Sequence, residues 1–112
     1  MIPFDPFKEG LAAFKRGDYA AAAELWRPLA EQGMAEARYY LAVLYDNGKG
    51  VAQDDAEAVR LYRLAAEQGD AAAQTNLGTM YLDGRGVPRD DAEAARLYRL
   101  AADQGLAKAQ YN

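Results

Sequence analysis

A 25-residue stretch, Tyr45 to Gly69, returns 36 positions later as Tyr81 to Gly105, and 18 of the 25 aligned positions are identical. The first copy reads YDNGKGVAQDDAEAVRLYRLAAEQG and the second YLDGRGVPRDDAEAARLYRLAADQG. No other feature constrains the fold as tightly. A fixed period of this length marks stacked units, each too small to bury its own apolar face, so that one core runs along the stack.

Inside each unit the apolar residues recur at helical spacing. The expected buried stripes are Phe7, Leu11 and Phe14, then Ala22, Leu25, Trp26 and Leu29, then Ala37, Tyr40, Leu41, Leu44 and Tyr45. Ala58, Leu61, Tyr62 and Ala65 follow, then Leu77, Gly78 and Tyr81, then Ala94, Leu97, Tyr98 and Ala101. Trp26 stands where Tyr62 and Tyr98 stand in later units, which assigns it to the core. Isoleucine and valine are scarce and form no strand-like run. Small residues face one another across each pair, Ala42 and Gly78 opposite Ala58 and Ala94. Gly10 lies inside the first helix, where glycine costs about 1 kcal/mol against alanine, so close contact with a neighbouring helix is expected there. Pro28 lies inside the second and is expected to bend it.

The punctuation agrees. Asp5, Asp18, Asp54 and Asp90 stand at helix starts, and Glu57 follows Asp54 at capping-box spacing. Gly33, Gly69 and Gly105 stand where the second helices should stop. Val51, the one apolar residue of its glycine loop, should tuck between the two helices. The expected architecture is all-α, an α/α solenoid of antiparallel pairs with about six full helices and a short C-terminal seventh. It forms one repeat domain, divided at 4–33, 34–69 and 70–105, with 106–112 opening a further repeat or a capping helix. That last stretch has no second helix to cover Ala107 and Tyr111.

Composition narrows the chemistry. The chain has no cysteine and no histidine, so it lacks disulfides, thiolate metal sites, the commonest general base and the commonest zinc ligand. Asp54-Asp55 and Asp90-Asp91 read as caps with favourable dipole contacts, and neither glycine loop carries calcium-ligand spacing. No metal and no cofactor are expected. The net charge is −4 with acids and bases interspersed, and no basic stripe tracks phosphates, so no nucleic acid is expected. No apolar stretch approaches the roughly 20 residues of a membrane span, and the opening MIPFDPFKEG lacks signal-peptide regions. The compartment stays open, cytoplasm or periplasm for a bacterial chain.

The pattern LxxLYxxGxGVxxDxxEAxxLYxxAAxQG resembles the Sel1-like repeat, a 36-residue relative of the tetratricopeptide repeat. The loop glycines, the valine, the capping aspartate and AAxQG carry the resemblance across Ala37 to Gly105. The opening unit, GLAAFKRGDYAAAAELWRPLAEQG, lacks the glycine loop and is similar to an ordinary tetratricopeptide pair. The resemblance implies a right-handed superhelix, first helices on the concave face, and adaptor or scaffold work without catalysis. A cysteine-rich bacterial branch is linked to penicillin binding, and this cysteine-free chain departs from it.

By the same resemblance, the concave positions are Phe7, Leu11 and Phe14, then Tyr39, Val43 and Asn47, then Thr75, Thr79 and Asp83, with Asn76 beside them. Aromatic and amide groups on a grooved wall suit an extended peptide or a helix. The helix over 71–83 has no lysine or arginine, so a carboxylate clamp is not expected. Arg60, Arg63, Arg96 and Arg99 read as a solvated outer face paired with Glu57 and Glu93. The favoured function is a non-catalytic module binding a protein or peptide. One alternative is a structural piece that self-associates end to end through its C-terminal repeat edge. Another is a hydrolase of cell-wall peptides, which this residue set does not equip with a paired nucleophile and base.

Overall fold

The computed structural model describes residues 2–111, with side chains described for residues 2–105. Six helices follow in order: α1 Pro6–Lys15, α2 Tyr19–Glu31, α3 Ala35–Asn47, α4 Asp55–Glu67, α5 Ala71–Asp83 and α6 Asp91–Tyr111. There is no strand among the described residues. Each helix packs on the one before and the one after, more extensively within a pair than between pairs. The chain is a solenoid of antiparallel helical pairs.

The core is the shared interior that the periodicity requires. Trp26, Tyr62, Leu41, Leu44, Leu77 and Met80 are its largest fully buried side chains. Leu61 and Leu97, one period apart, are 2% and 3% exposed. Phe7, Leu11 and Phe14 pack against this core from α1, and Val51 and Val87 from the two loops. Small residues set the helix separations. A Cβ on Gly10 would lie 2.2 Å from Trp26 Nε1, and one on Gly78 would lie 3.0 Å from Tyr98 Cε1. The Trp26 indole N–H donates to Phe7 O at 3.3 Å, so the ring that fills the α1–α2 seam is also hydrogen-bonded.

The caps form as expected. Asp5, Asp18, Asp54 and Asp90 each accept from a backbone N–H in the first turn that follows, and Asp70 adds a fifth such cap on Ala73 at 2.9 Å. The reciprocal half of the capping box does not form. The Asp54 N–H donates to Tyr45 O at 3.0 Å to close the glycine loop, which leaves no donor for Glu57. Glu57 turns instead to Arg60 Nε at 2.6 Å. Pro28 lies inside the continuous α2.

Gly105 does not stop the last helix. Gly33 and Gly69 reach φ of +98° and +92° and turn the chain into the next helix, but α6 runs unbroken through 105. Glycine permits the left-handed conformation without imposing it. The helix continues instead, and its i to i−4 bonding satisfies the backbone locally. The residues expected to open a seventh helix are therefore the end of α6. The side chains of Ala107 and Tyr111 lie outside the described residues.

The glutamine of AAxQG acquires a physical role. Gln68 Oε1 accepts from Arg38 Nη1 at 3.0 Å, and its amide donates to Gly33 O at 2.7 Å. One period on, Gln104 donates to Gln74 Oε1 at 2.8 Å. Arg38 and Gln74 in turn bond Ala30 O and Ala66 O, the C-terminal carbonyls of the preceding second helix.

Candidate peptide-binding face

The residues singled out on the first helices fall into two groups. Tyr39 on α3 and Asn76 on α5 are linked through Tyr62 of α4, whose ring centroid lies 6.1 Å from that of Tyr39. The Asn76 amide also donates to Tyr62 Oη at 3.2 Å, and Tyr62 donates to Asp46 Oδ2 at 3.0 Å. Burial pushes the Tyr62 hydroxyl well above the ordinary phenol range, with the Asp46 charge adding to the rise and the Asn76 bond opposing it. Burial likewise raises Tyr39, and Asn76 again opposes. Both phenols therefore stay neutral and available for hydrogen bonding at physiological pH.

The remaining residues make no such link between the two helices. Val43 is half-buried and packs on the core. Asn47 is exposed, and its amide folds back to Val43 O at 2.9 Å. Thr75 and Thr79 are exposed, and their hydroxyls donate to Ala71 O and Thr75 O one turn back, at 3.1 and 3.2 Å. Thr79 Oγ1 also lies 2.8 Å from Tyr98 Oη. The single Thr79 proton is already given to Thr75 O, so Tyr98 is the donor there. Asp83, the last residue of α5, is exposed.

Sequence reasoning missed a charged bridge at the loop end of this face. Arg85 Nη2, in the second glycine loop, lies 2.6 Å from Asp46 Oδ1 and 2.7 Å from Asp55 Oδ1 in the preceding unit. Gln53 Nε2 shares Asp55 Oδ1 at 2.6 Å. The Arg85 bond holds the Asp55 carboxyl below its usual range, and the two carboxylates hold Arg85 above its own. A signal was present: Lys49 and Arg85 are both basic at one position of the repeat. Lys49 does the equivalent job over the ring of Tyr19, 4.9 Å from its centroid.

Arg63 corrects the picture of a solvated outer face. Arg60 and Arg96 do pair with Glu57 and Glu93, at 2.6 and 2.5 Å. Arg63, however, donates to Tyr81 Oη of the next unit at 2.7 Å, as Arg27 donates to Tyr45 Oη at 2.9 Å. These arginines edge two clefts related by one period. One lies between α2 and α4 over Leu41 and Leu61, the other between α4 and α6 over Leu77 and Leu97.

Comparison with known proteins agrees with the helical-repeat fold. The Sel1 repeat matches residues 7–34, 35–70 and 71–106, the loop-less first unit included. The exopolysaccharide production negative regulator of Rhizobium leguminosarum bv. viciae is 47% identical over 55 residues, covering 49% of this chain and 21% of that protein. The protein of the same name from Rhizobium meliloti (strain 1021) is 44% identical over 55 residues, 49% of this chain and 20% of its own length. The matched segment thus spans about a fifth of these relatives. Among solved structures, a protective antigen of uropathogenic Escherichia coli displaying an SLR fold superposes with a TM-score of 0.84 at 38% identity, covering 89% of this chain and 22% of that one. A Sel1 repeat protein from Oxalobacter formigenes gives a TM-score of 0.84 at 34% identity, covering 88% and 79%.

Proposed function

The chain belongs to the Sel1 repeat family, and on that premise we propose that it is a non-catalytic protein-interaction module that holds a peptide or a helix on its first-helix face. The carrying observation is the link from Tyr39 through Tyr62 to Asn76, by ring contact on one side and an amide hydrogen bond on the other. It joins the first helices of two successive units into one polar floor, held from beneath by Tyr62 and Asp46. A ligand laid across α3 and α5 meets an aromatic ring and amide and hydroxyl groups already fixed in place, which lowers the ordering cost of binding. The curated relatives are named as negative regulators of exopolysaccharide production, which fits regulation by partner binding.

A peptide array probed with the isolated domain tests the proposal. Ligands should be retained by the unsubstituted protein and lost on Tyr39→Ala or Asn76→Ala. Binding that survives both changes but is abolished by substitutions in the clefts beside Arg27 and Arg63 would move the site to the other side of the stack.

A second reading is self-association through the C-terminal unit, where Leu82 and Leu100 are 42% and 40% exposed. Sedimentation of a monomer across a wide concentration range would remove it.

A further inference from the structure

The exposed row along α5 consists of oxygen acceptors whose neighbouring protons are already committed. Thr75 and Thr79 spend their hydroxyl protons on carbonyls of their own helix. Asn76 directs its amide to the hydroxyl of Tyr62. What remains is a set of lone pairs on Thr75, on half-buried Asn76 and on Thr79, where Tyr98 already donates to one, ending in the exposed carboxylate of Asp83. Residues 75, 79 and 83 are successive i+4 neighbours, so the row is about 12 Å long with one acceptor per turn. The helix Ala71–Asp83 contains no lysine or arginine to neutralise it. The nearest cation from the loop, Arg89, holds both oxygens of Asp91, at 3.0 and 3.1 Å. Among the described residues, Asp83 forms no salt bridge.

Asp83 also sits where a carboxylate is disfavoured, at the negative end of its helix dipole. Asp46, in the preceding unit, pairs directly with Arg85. Asp83 has only the longer-range attraction of Arg89, whose direct bonds go to Asp91.

We infer that this row takes a basic peptide segment, whose lysine or arginine side chains donate to the oxygens of Thr75, Asn76 and Thr79 and pair with Asp83. The inference deepens the reading of the first-helix face as a peptide site and rests on it. An extended segment presents alternate side chains to one face about 6.6 Å apart, close to the roughly 6 Å rise between acceptors four residues apart.

Fluorescence anisotropy with short labelled peptides tests it, using alternating arginine and serine, alternating glutamate and serine, and alternating glycine and serine. Only the arginine peptide should bind. Asp83→Asn should weaken it about threefold, and Asp83→Lys by roughly tenfold or more, since like charges are then juxtaposed. Glu36→Gln, which removes an exposed acid at the start of α3, should change nothing. The melting temperature of Asp83→Asn should rise, so lost binding cannot be ascribed to unfolding. Equal binding of the glutamate or glycine peptide overturns the inference. So does a Glu36→Gln loss as large as that of Asp83→Asn, which would mean diffuse attraction to the net negative chain. Failure of the arginine peptide to bind overturns it too. If an array instead finds Tyr39-dependent ligands without basic residues, the peptide-face reading stands and this inference falls.

Discussion

Gly50 rests on the backbone of Tyr19 so closely that a Cβ at position 50 would lie 2.4 Å from the Tyr19 carbonyl carbon. One period later, Gly86 repeats the contact against Asp55, where a Cβ would lie 2.6 Å from the carbonyl oxygen. The second glycine of each loop is thus an inter-unit contact as well as a left-handed residue, with φ of +74° and +72°.

Replacing that glycine should cost more than replacing its loop partner. Gly84→Ala, at φ +66°, would bring its Cβ no closer than 3.4 Å to Arg89 Cβ and should lose about 1 kcal/mol from backbone strain. Gly86→Ala adds a collision with the Asp55 backbone, and a loss of about 2–4 kcal/mol is expected. Urea denaturation of both variants measures the difference. Equal losses would show that only the dihedral angle matters.

Gly10→Ala should break the rule for helical glycines. In an open helix this change gains about 1 kcal/mol. Here the new methyl meets the Trp26 indole, which is fully buried and has nowhere to move. A net loss of about 1–3 kcal/mol is expected. A rise in the denaturation midpoint would show that the α1–α2 seam is looser than described.

Tyr62→Phe removes one oxygen from a buried chain of hydrogen bonds and leaves Asn76 and Asp46 each short of a partner. A loss of about 1–2 kcal/mol is expected. Tyr98→Phe, one period on, affects only the bond to exposed Thr79 and should stay within about 0.5 kcal/mol. The contrast between the two, measured by chemical denaturation, separates the buried network from tyrosine packing.

Arg85→Gln should cost about 1 kcal/mol at neutral pH, an amount held down by the exposure of the bridge. It should also alter the acid response. Asp55, Glu57 and Glu93 are held below their ordinary carboxyl range, first by their bonds to Arg85, Arg60 and Arg96. A depressed carboxylate adds stability above its unfolded pKa, and that contribution vanishes as pH falls through the folded value. The thermal midpoint should therefore be flat from neutrality to about pH 5 and fall below about pH 4. In Arg85→Gln the Asp55 share is gone, so the acid limb should be shallower. An identical limb would remove Asp55 from the account.

The core was legible because period and hydrophobicity determine it together. Trp26, Tyr62 and Leu61 are buried because each lies on a helix stripe that a neighbour must cover, and Gly10 announced its contact as a misplaced helix breaker. The polar wiring was less legible. Tyr62 reads as an apolar stripe residue, and its hydroxyl partners, 16 positions back and 14 ahead, follow no helical spacing. Arg85 reaches Asp46 across 39 positions, an offset fixed only by how units stack. Gly105 looked like a stop because its sequence equals that of Gly69, but glycine only permits the left-handed turn and α6 runs on through it. The peptide face itself was named from a family pattern, and of its seven residues only Tyr39 and Asn76 are linked across the two helices, through Tyr62.

The backward reach of each glycine loop gives the stack a direction. Gly50 keys into the start of α2 and Gly86 into the start of α4, so each loop seats on the unit before its own. Trimming units from the carboxyl end leaves every surviving loop seated, but trimming from the amino end strands one with its glycines in water. In a scaffold wired this way each looped unit needs its predecessor in place before its own loop can seat.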